Sequence, residues 1–174
     1  MGIVFHTVKL SNRKRVGNGS FFLWCPMLLN DPEDPVFQNL DQFLKGLSLN
    51  LVDLGMRTKN GTTSVHLVLH SSEGLGIDVL TKTHRLLLPK LETLLKTEDL
   101  SVEAGSPGLE RALKYKRELG FYIGKKTRLY LVGASDWEEG LLTAFEGEVV
   151  TFETKTGSRP IPVDQIHKAK LHDL

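Results

Sequence analysis

Leu100-Ser101-Val102-Glu103-Ala104-Gly105-Ser106-Pro107-Gly108-Leu109-Glu110-Arg111 is the stretch where one pattern stops and another begins. Leu100, Val102 and Ala104 alternate with Ser101 and Glu103, which is the period of a half-buried strand. Ser106-Pro107-Gly108 breaks that alternation. Proline presets φ and the following glycine accepts positive φ, so the pair predicts a type II turn. A boundary between two units is therefore placed here, giving an extension at 1–32, one unit at 33–107 and a second at 108–174.

On the amino-terminal side, Asp34-Pro35 reads as a helix start, with Asp34 as the cap and Pro35 at the first helical position. Val36, Leu40, Phe43, Leu44 and Leu47 follow at helical spacing, and Gly46 marks the end. Leu49 and Leu51, then Val52, Leu54 and Met56, read as a strand whose parity slips once, consistent with a bulge or with burial on both faces. Lys59-Asn60-Gly61 supplies a tight hairpin turn, and Val65, Leu67 and Leu69 form the return strand. A second helix over Asp78 to Lys96 presents Leu80, Leu87, Leu91, Leu94 and Leu95. Pro89 lies inside it and is expected to kink the helix near Arg85 or split it. Helix–strand–strand–helix–strand is an α+β order, a small sheet with helices on one face.

On the carboxyl-terminal side, Leu109 to Phe121 predicts a short basic helix carrying Lys114-Tyr115-Lys116-Arg117. Short strands follow at 128–132, 140–145, 148–153 and 159–163, and Asp164 to Leu171 reads as a helical turn plus a closing strand. Short strands at even spacing favour a small closed barrel.

The formal net charge is only +1, but it is unevenly spread. Residues 1–30 hold Lys9, Arg13, Lys14 and Arg15 with no acid, residues 31–110 are net acidic, and residues 111–174 lean basic. Any phosphate contact is thus expected in the last segment. Cys25 is the single cysteine, so an intrachain disulfide and a cysteine metal site are excluded, which fits a reducing compartment such as the cytoplasm. No apolar run approaches the roughly 20 residues that span a bilayer. The run Phe21 to Leu29 resembles a signal peptide only superficially, since Pro26 interrupts it and no small-x-small site precedes Asp31. Residues 1–26 are read as a translated upstream stretch with Met27 as the working start, or as a targeting or anchoring arm. Residues 1–32 are expected to be poorly ordered.

Catalytic constellations are weak throughout. His66 and His70 share a strand face but lie too far apart along it to form a tight ligand pair. Asp136, Glu138 and Glu139 surround Trp137, a pattern that suits a hairpin loop with a packed indole better than converging acid and base. Gly17-Asn18-Gly19-Ser20 lacks the lysine of a phosphate loop. Gly74-Leu75-Gly76 opens a helix and could offer amides to an anion, yet it is no nucleotide motif. A binding module, not an enzyme, is the expectation. Its best candidates are cations: Lys125, Lys126 and Arg128 open the first barrel strand, and Lys168 and Lys170 lie on the last. First and last strands of a small barrel are neighbours, so these side chains could form one patch. They could also be ordinary solvated charges, and a patch of this size gives modest, salt-sensitive affinity for RNA.

The opening stretch resembles the RimP family, whose hallmark strand runs into Ser-Ser-Pro-Gly-Leu-Asp-Arg-Pro-Leu. Ser106, Pro107, Gly108, Leu109, Arg111 and Leu113 match, while Gly105, Glu110 and Ala112 depart from it. Leu49 to Asp53, Gly76-Ile77-Asp78, Gly140 with Leu142, Ile161-Pro162 and Ile166 to Leu171 are similar as well, so the resemblance covers about residues 33 to 171. Residues 1–32 have no counterpart in it. The resemblance implies an amino-terminal ferredoxin-like or KH-like α-β-β-α-β domain and a carboxyl-terminal Sm-like (SH3-like) β-barrel. It implies a ribosome assembly factor that binds the immature small ribosomal subunit, its ribosomal RNA and small-subunit protein twelve, with no cofactor, no reaction, no membrane and no small-molecule substrate. A free-standing Sm-like RNA-binding regulator is the alternative.

Overall fold

The computed structural model describes Leu28 and residues 30–172 of the 174. The upstream-start and targeting readings fall on residues outside that range. The first helix, α1 (Pro35–Lys45), begins where the Asp34 Oδ1 accepts the backbone N–H groups of Val36 and Phe37, both at 2.9 Å. It buries Phe37, Leu40 and Leu44, as its spacing predicts, and also Asp41, which the spacing does not explain. β1 (Asn50–Lys59) and β2 (Thr62–His70) pair antiparallel around Asn60-Gly61, whose φ values of 53° and 93° are those an Asn-Gly hairpin turn requires.

The slip in parity on β1 is a bulge between Leu51 and Asp53. Leu51 and Val52 are consequently both buried, and Asp53 is displaced from the pattern. α2 (Ile77–Leu95) runs unbroken through Pro89, so the expectation of a split helix is corrected. Leu87 and Leu91, fully buried on either side of the proline, hold both flanking turns to the sheet despite the lost backbone hydrogen bond. β3 (Leu100–Gly105) adds parallel to β2, and the His84 Nε2 lies 3.1 Å from the Val102 carbonyl. One core fills the space between the sheet β1-β2-β3 and the two helices.

The predicted basic helix over 109–121 is mostly absent. Ala112–Leu113 instead form a short strand, β4, and only Glu118–Phe121 are helical, as α3. The strands that follow are β5 (Lys126–Leu131), β6 (Glu138–Glu146), β7 (Val149–Thr154), β8 (Gly157–Pro162) and β9 (Ile166–Leu171), with a 3-10 turn at Val163–Gln165. They form one sheet in the order β4-β9-β5-β6-β7-β8. β5 and β9 are neighbours, as a barrel reading expects. Among the described residues, however, β8 and β4 do not pair, so the sheet is open and the closed barrel is not formed. β8 suits an edge, because Pro160 and Pro162 have no N–H to donate to a further strand. Leu129, Leu142, Val150, Phe152 and Ile166 make the second core fully buried, and Leu28 packs into it from ahead of α1.

Gly140 shows how tightly this second core is closed. A Cβ there would lie 2.4 Å from the Glu153 carbonyl oxygen and 2.7 Å from the Phe152 ring. Neither neighbour can retreat, one being backbone and the other fully buried. Gly140→Ala is expected to cost about 1–3 kcal/mol or more, read as a lower urea midpoint at an unchanged denaturant slope.

Candidate functional site

The quoted stretch ends in a junction between the two sheets. Gly108 is not at positive φ, so the predicted Pro-Gly type II turn does not form. The turn closes two residues later, where the Arg111 N–H donates to the Gly108 carbonyl at 3.2 Å. β9 draws it there: the Leu171 N–H donates to the Arg111 carbonyl at 2.9 Å, and β4 pairs with β9 directly after. Leu109 is 61% exposed. Arg111 points inward, its side chain 13% exposed, and carries the junction.

Glu118, fully buried, organises this region. Its Oε1 accepts the backbone N–H groups of Lys114 (2.9 Å) and Tyr115 (3.0 Å), and its Oε2 accepts the Arg111 Nε–H at 3.0 Å. That carboxylate replaces the intrahelical bonds the sequence pattern led one to expect. Arg111 also lies 3.6 Å from the Asp53 carboxylate of β1, and the Lys114 ammonium binds the same oxygen. Arg117 reaches Asp41 of α1 and lies over the rings of Phe37 (5.5 Å) and Phe121 (5.2 Å). His70, at the end of β2, stacks on Phe121 with centroids 5.8 Å apart and meets Tyr122 edge-on at 5.1 Å. The segment 111–122 thus touches the first sheet and α1 through charge and aromatic contacts together.

Burial and the facing charges together set the direction in which these groups titrate. It works to lower the Arg111 guanidinium, but the Glu118 hydrogen bond and the charges of Glu118 and Asp53 outweigh it and raise the group. Burial alone would raise the Asp41 carboxyl, yet hydrogen bonds from Arg117 and Lys45, with their charges, hold it below the ordinary carboxylate range. His70 is pushed below its ordinary 6.5 by burial and by the charge of Lys125. The Tyr122 hydroxyl is pushed well up by burial. The sequence marks Arg117 only as part of a basic segment and Asp53 only at the end of a strand-like stretch, while Glu118 and Asp41 carry no signal; the parity slip beside Asp53 is the one local sign.

The five sequence-selected cations lie together only in part. Lys126, Arg128 and Tyr130 alternate with buried Thr127 and Leu129, so they share the outer face of β5. Lys170 lies opposite Arg128 and Lys168 opposite Tyr130. Lys125 is exposed just ahead of the strand. Arg128 is paired with Glu139 at 2.6 Å and Lys170 with Glu110 at 3.0 Å. Lys126 and Lys168 have no acidic partner among the described residues. Trp137 packs on Tyr130, as the indole reading expects. Among the described residues no group of His, Cys, Asp or Glu is arranged to hold a metal, and no helix is long and apolar enough to cross a membrane.

Fold and site define an α+β chain of two sheets, joined by a charged seam, with a partly exposed cationic face on β5 and β9. No family model matches the chain. A ribosome maturation factor RimP of Borrelia recurrentis is 31% identical over 125 residues, covering 72% of this chain and 85% of that protein. The RimP of Borrelia turicatae matches at the same identity and coverage. That of Borreliella burgdorferi is 29% identical over 144 residues, covering 81% of this chain and 96% of its own. This chain belongs to the RimP family.

Two outcomes follow from the seam. Glu118→Ala leaves a buried guanidinium and two amides without their acceptor, and is expected to cost about 3–5 kcal/mol by urea unfolding. The pH dependence has a definite sign. Because folded His70 titrates below the unfolded value of 6.5, the unfolded chain takes up the proton first, and stability falls as pH drops below about 6.5. Asp41 adds a second loss as pH falls through its lowered folded value, below about 4. His70→Phe keeps a ring against Phe121 and is expected to flatten the first fall, measured by urea midpoints between about pH 7 and pH 5.

Proposed function

We propose that this chain acts in ribosome maturation by binding the immature small ribosomal subunit, without catalysing a reaction, in the cytoplasm. The observation that carries the reading is the identity to RimP proteins over most of the chain, with up to 96% of the relative covered. In this reading the chain has two domains, 33–107 and 108–174, joined at Ser106-Pro107-Gly108. The first takes the part of a ferredoxin-like or KH-like domain. The open six-stranded sheet takes the part of the Sm-like module.

The cationic face of β5 and β9, with Lys125, Lys126, Arg128, Lys168 and Lys170, is proposed to meet ribosomal RNA close to small-subunit protein twelve. Lys126 and Lys168 carry the part of this charge that has no acidic partner among the described residues, so they are the first to expect at phosphates. Arg128 and Lys170 are held by Glu139 and Glu110 and would have to exchange partners. A factor with few phosphate contacts binds moderately and releases, which suits a transient role in assembly.

The protein is expected to co-sediment with free small subunits and not with translating ribosomes, and to leave them as salt rises. Lys126→Glu with Lys168→Glu is expected to weaken that association at least tenfold while leaving the unfolding midpoint within about 0.5 kcal/mol. Binding of isolated RNA with no association to any small-subunit fraction would instead favour a free-standing RNA-binding regulator.

A further inference from the structure

The outer face of β5 and β9 carries a second feature that charge does not explain. Tyr130 lies between Trp137 and His167, with ring centroids 5.6 Å and 6.0 Å away. All three rings stand outside both hydrophobic cores. Trp137 remains 38% exposed. Large aromatic side chains are usually drawn into a core, so three rings gathered on a solvent-facing surface need another partner.

The charges around them narrow the choice. Lys168 lies directly opposite Tyr130 in the strand register, and Lys126 stands on the same strand face as Tyr130. Glu138 and Glu139, which flank Trp137 in sequence, are engaged by Arg159 and Arg128. Asp136 is the remaining acid, its Oδ1 accepting the Trp137 backbone N–H at 2.7 Å. Rings beside a lysine with no acidic partner among the described residues match a ligand that is a flat π-surface joined to an anion. Unpaired nucleotides have that chemistry, since base–aromatic stacking is sequence-tolerant and the phosphates meet the cations. Duplex RNA does not offer it, because its base faces are already stacked on each other.

We infer that Trp137, Tyr130 and His167, with Lys168 beside them and Lys126 farther along the same strand face, form a stacking platform for unpaired RNA bases. The inference deepens the proposed ribosomal-RNA contact and rests on it for its biological setting. It predicts that this factor engages a single-stranded segment rather than a helix, and that Trp137 is the principal stacking group.

The test uses the full chain carrying Trp24→Phe, which leaves Trp137 as the sole tryptophan reporter of the two present. The probes are a ten-residue oligoadenylate RNA and a ten-base-pair RNA duplex at the same low salt. Binding of the single strand is expected to quench Trp137 fluorescence, with the duplex binding more weakly and quenching little. In the Trp24-containing protein, followed by anisotropy of labelled RNA, Trp137→Leu is expected to weaken single-strand binding about tenfold, the order of one base stack. Trp137→Phe is expected to restore part of it, which separates stacking from a folding defect. Equal affinity for both probes, with no effect of Trp137→Leu, would overturn the platform while leaving the small-subunit reading intact. Binding of a lysine-rich peptide in place of either RNA would overturn it too. Single-strand binding that depends on Trp137 in a protein that never sediments with small subunits would uphold the platform and defeat the ribosomal reading instead.

Discussion

The buried carboxylate of Glu118 is the constraint around which the rest of the molecule is arranged. A carboxylate with no solvent exposure is costly unless its oxygens are filled. Here two backbone amides and the Arg111 guanidinium fill them. That requirement forces 112–117 away from a helix and turns Arg111 inward. Arg111 then needs further negative charge, and Asp53 supplies it from the bulge of β1. A local hydrogen-bonding problem in one segment is thereby solved by a residue almost sixty positions earlier in the chain.

The same arrangement accounts for much of the charge asymmetry between the two halves. An acidic first half and a basic second half suggest an external polyanion when read along the chain. In three dimensions, Asp53 and Asp41 of the first half answer Arg111, Lys114 and Arg117 of the second. These three cations are engaged by the first half, Arg111 and Lys114 at β1 and Arg117 at α1. What remains outward is a smaller set on β5 and β9, part of it paired. The seam and the outward face therefore draw on one pool of positive charge and serve opposite purposes. One is internal and fixed by burial, the other solvent-facing and sensitive to salt.

Local chemistry was legible in the sequence wherever it decided the structure. Asp34 before Pro35 marked the start of α1, Asn60-Gly61 marked the hairpin, and the apolar slip at Leu51-Val52 marked the bulge. The strands after Gly124 were found within two residues, because each is bounded by its own turn. The misread positions are those where a distant partner overrides the local preference. Pro107-Gly108 satisfies the rule for a type II turn, but pairing of β4 with β9 moves the turn to 108–111. Pro89 should interrupt α2, but the burial of Leu87 and Leu91 outweighs its missing hydrogen bond. Leu109 matches a family motif and lies in solvent. The barrel was over-read because even spacing of strands does not reveal whether the edge strands meet. Of the site, the cations were visible as composition, whereas the Tyr130–Trp137–His167 grouping depends on the pairing of β5 with β9 and could not be read beforehand.

Arg111 couples the two sheets through Asp53 as well as serving Glu118. A double-mutant cycle on Asp53→Ala and Arg111→Ala, followed by urea unfolding of the full chain, isolates that coupling from the packing each side chain contributes. A coupling free energy of about 1 kcal/mol or more is expected, as for a partly buried charged contact within one network. Effects that add within about 0.3–0.5 kcal/mol would contradict it, and would leave the two sheets joined by the chain and its aromatic contacts alone.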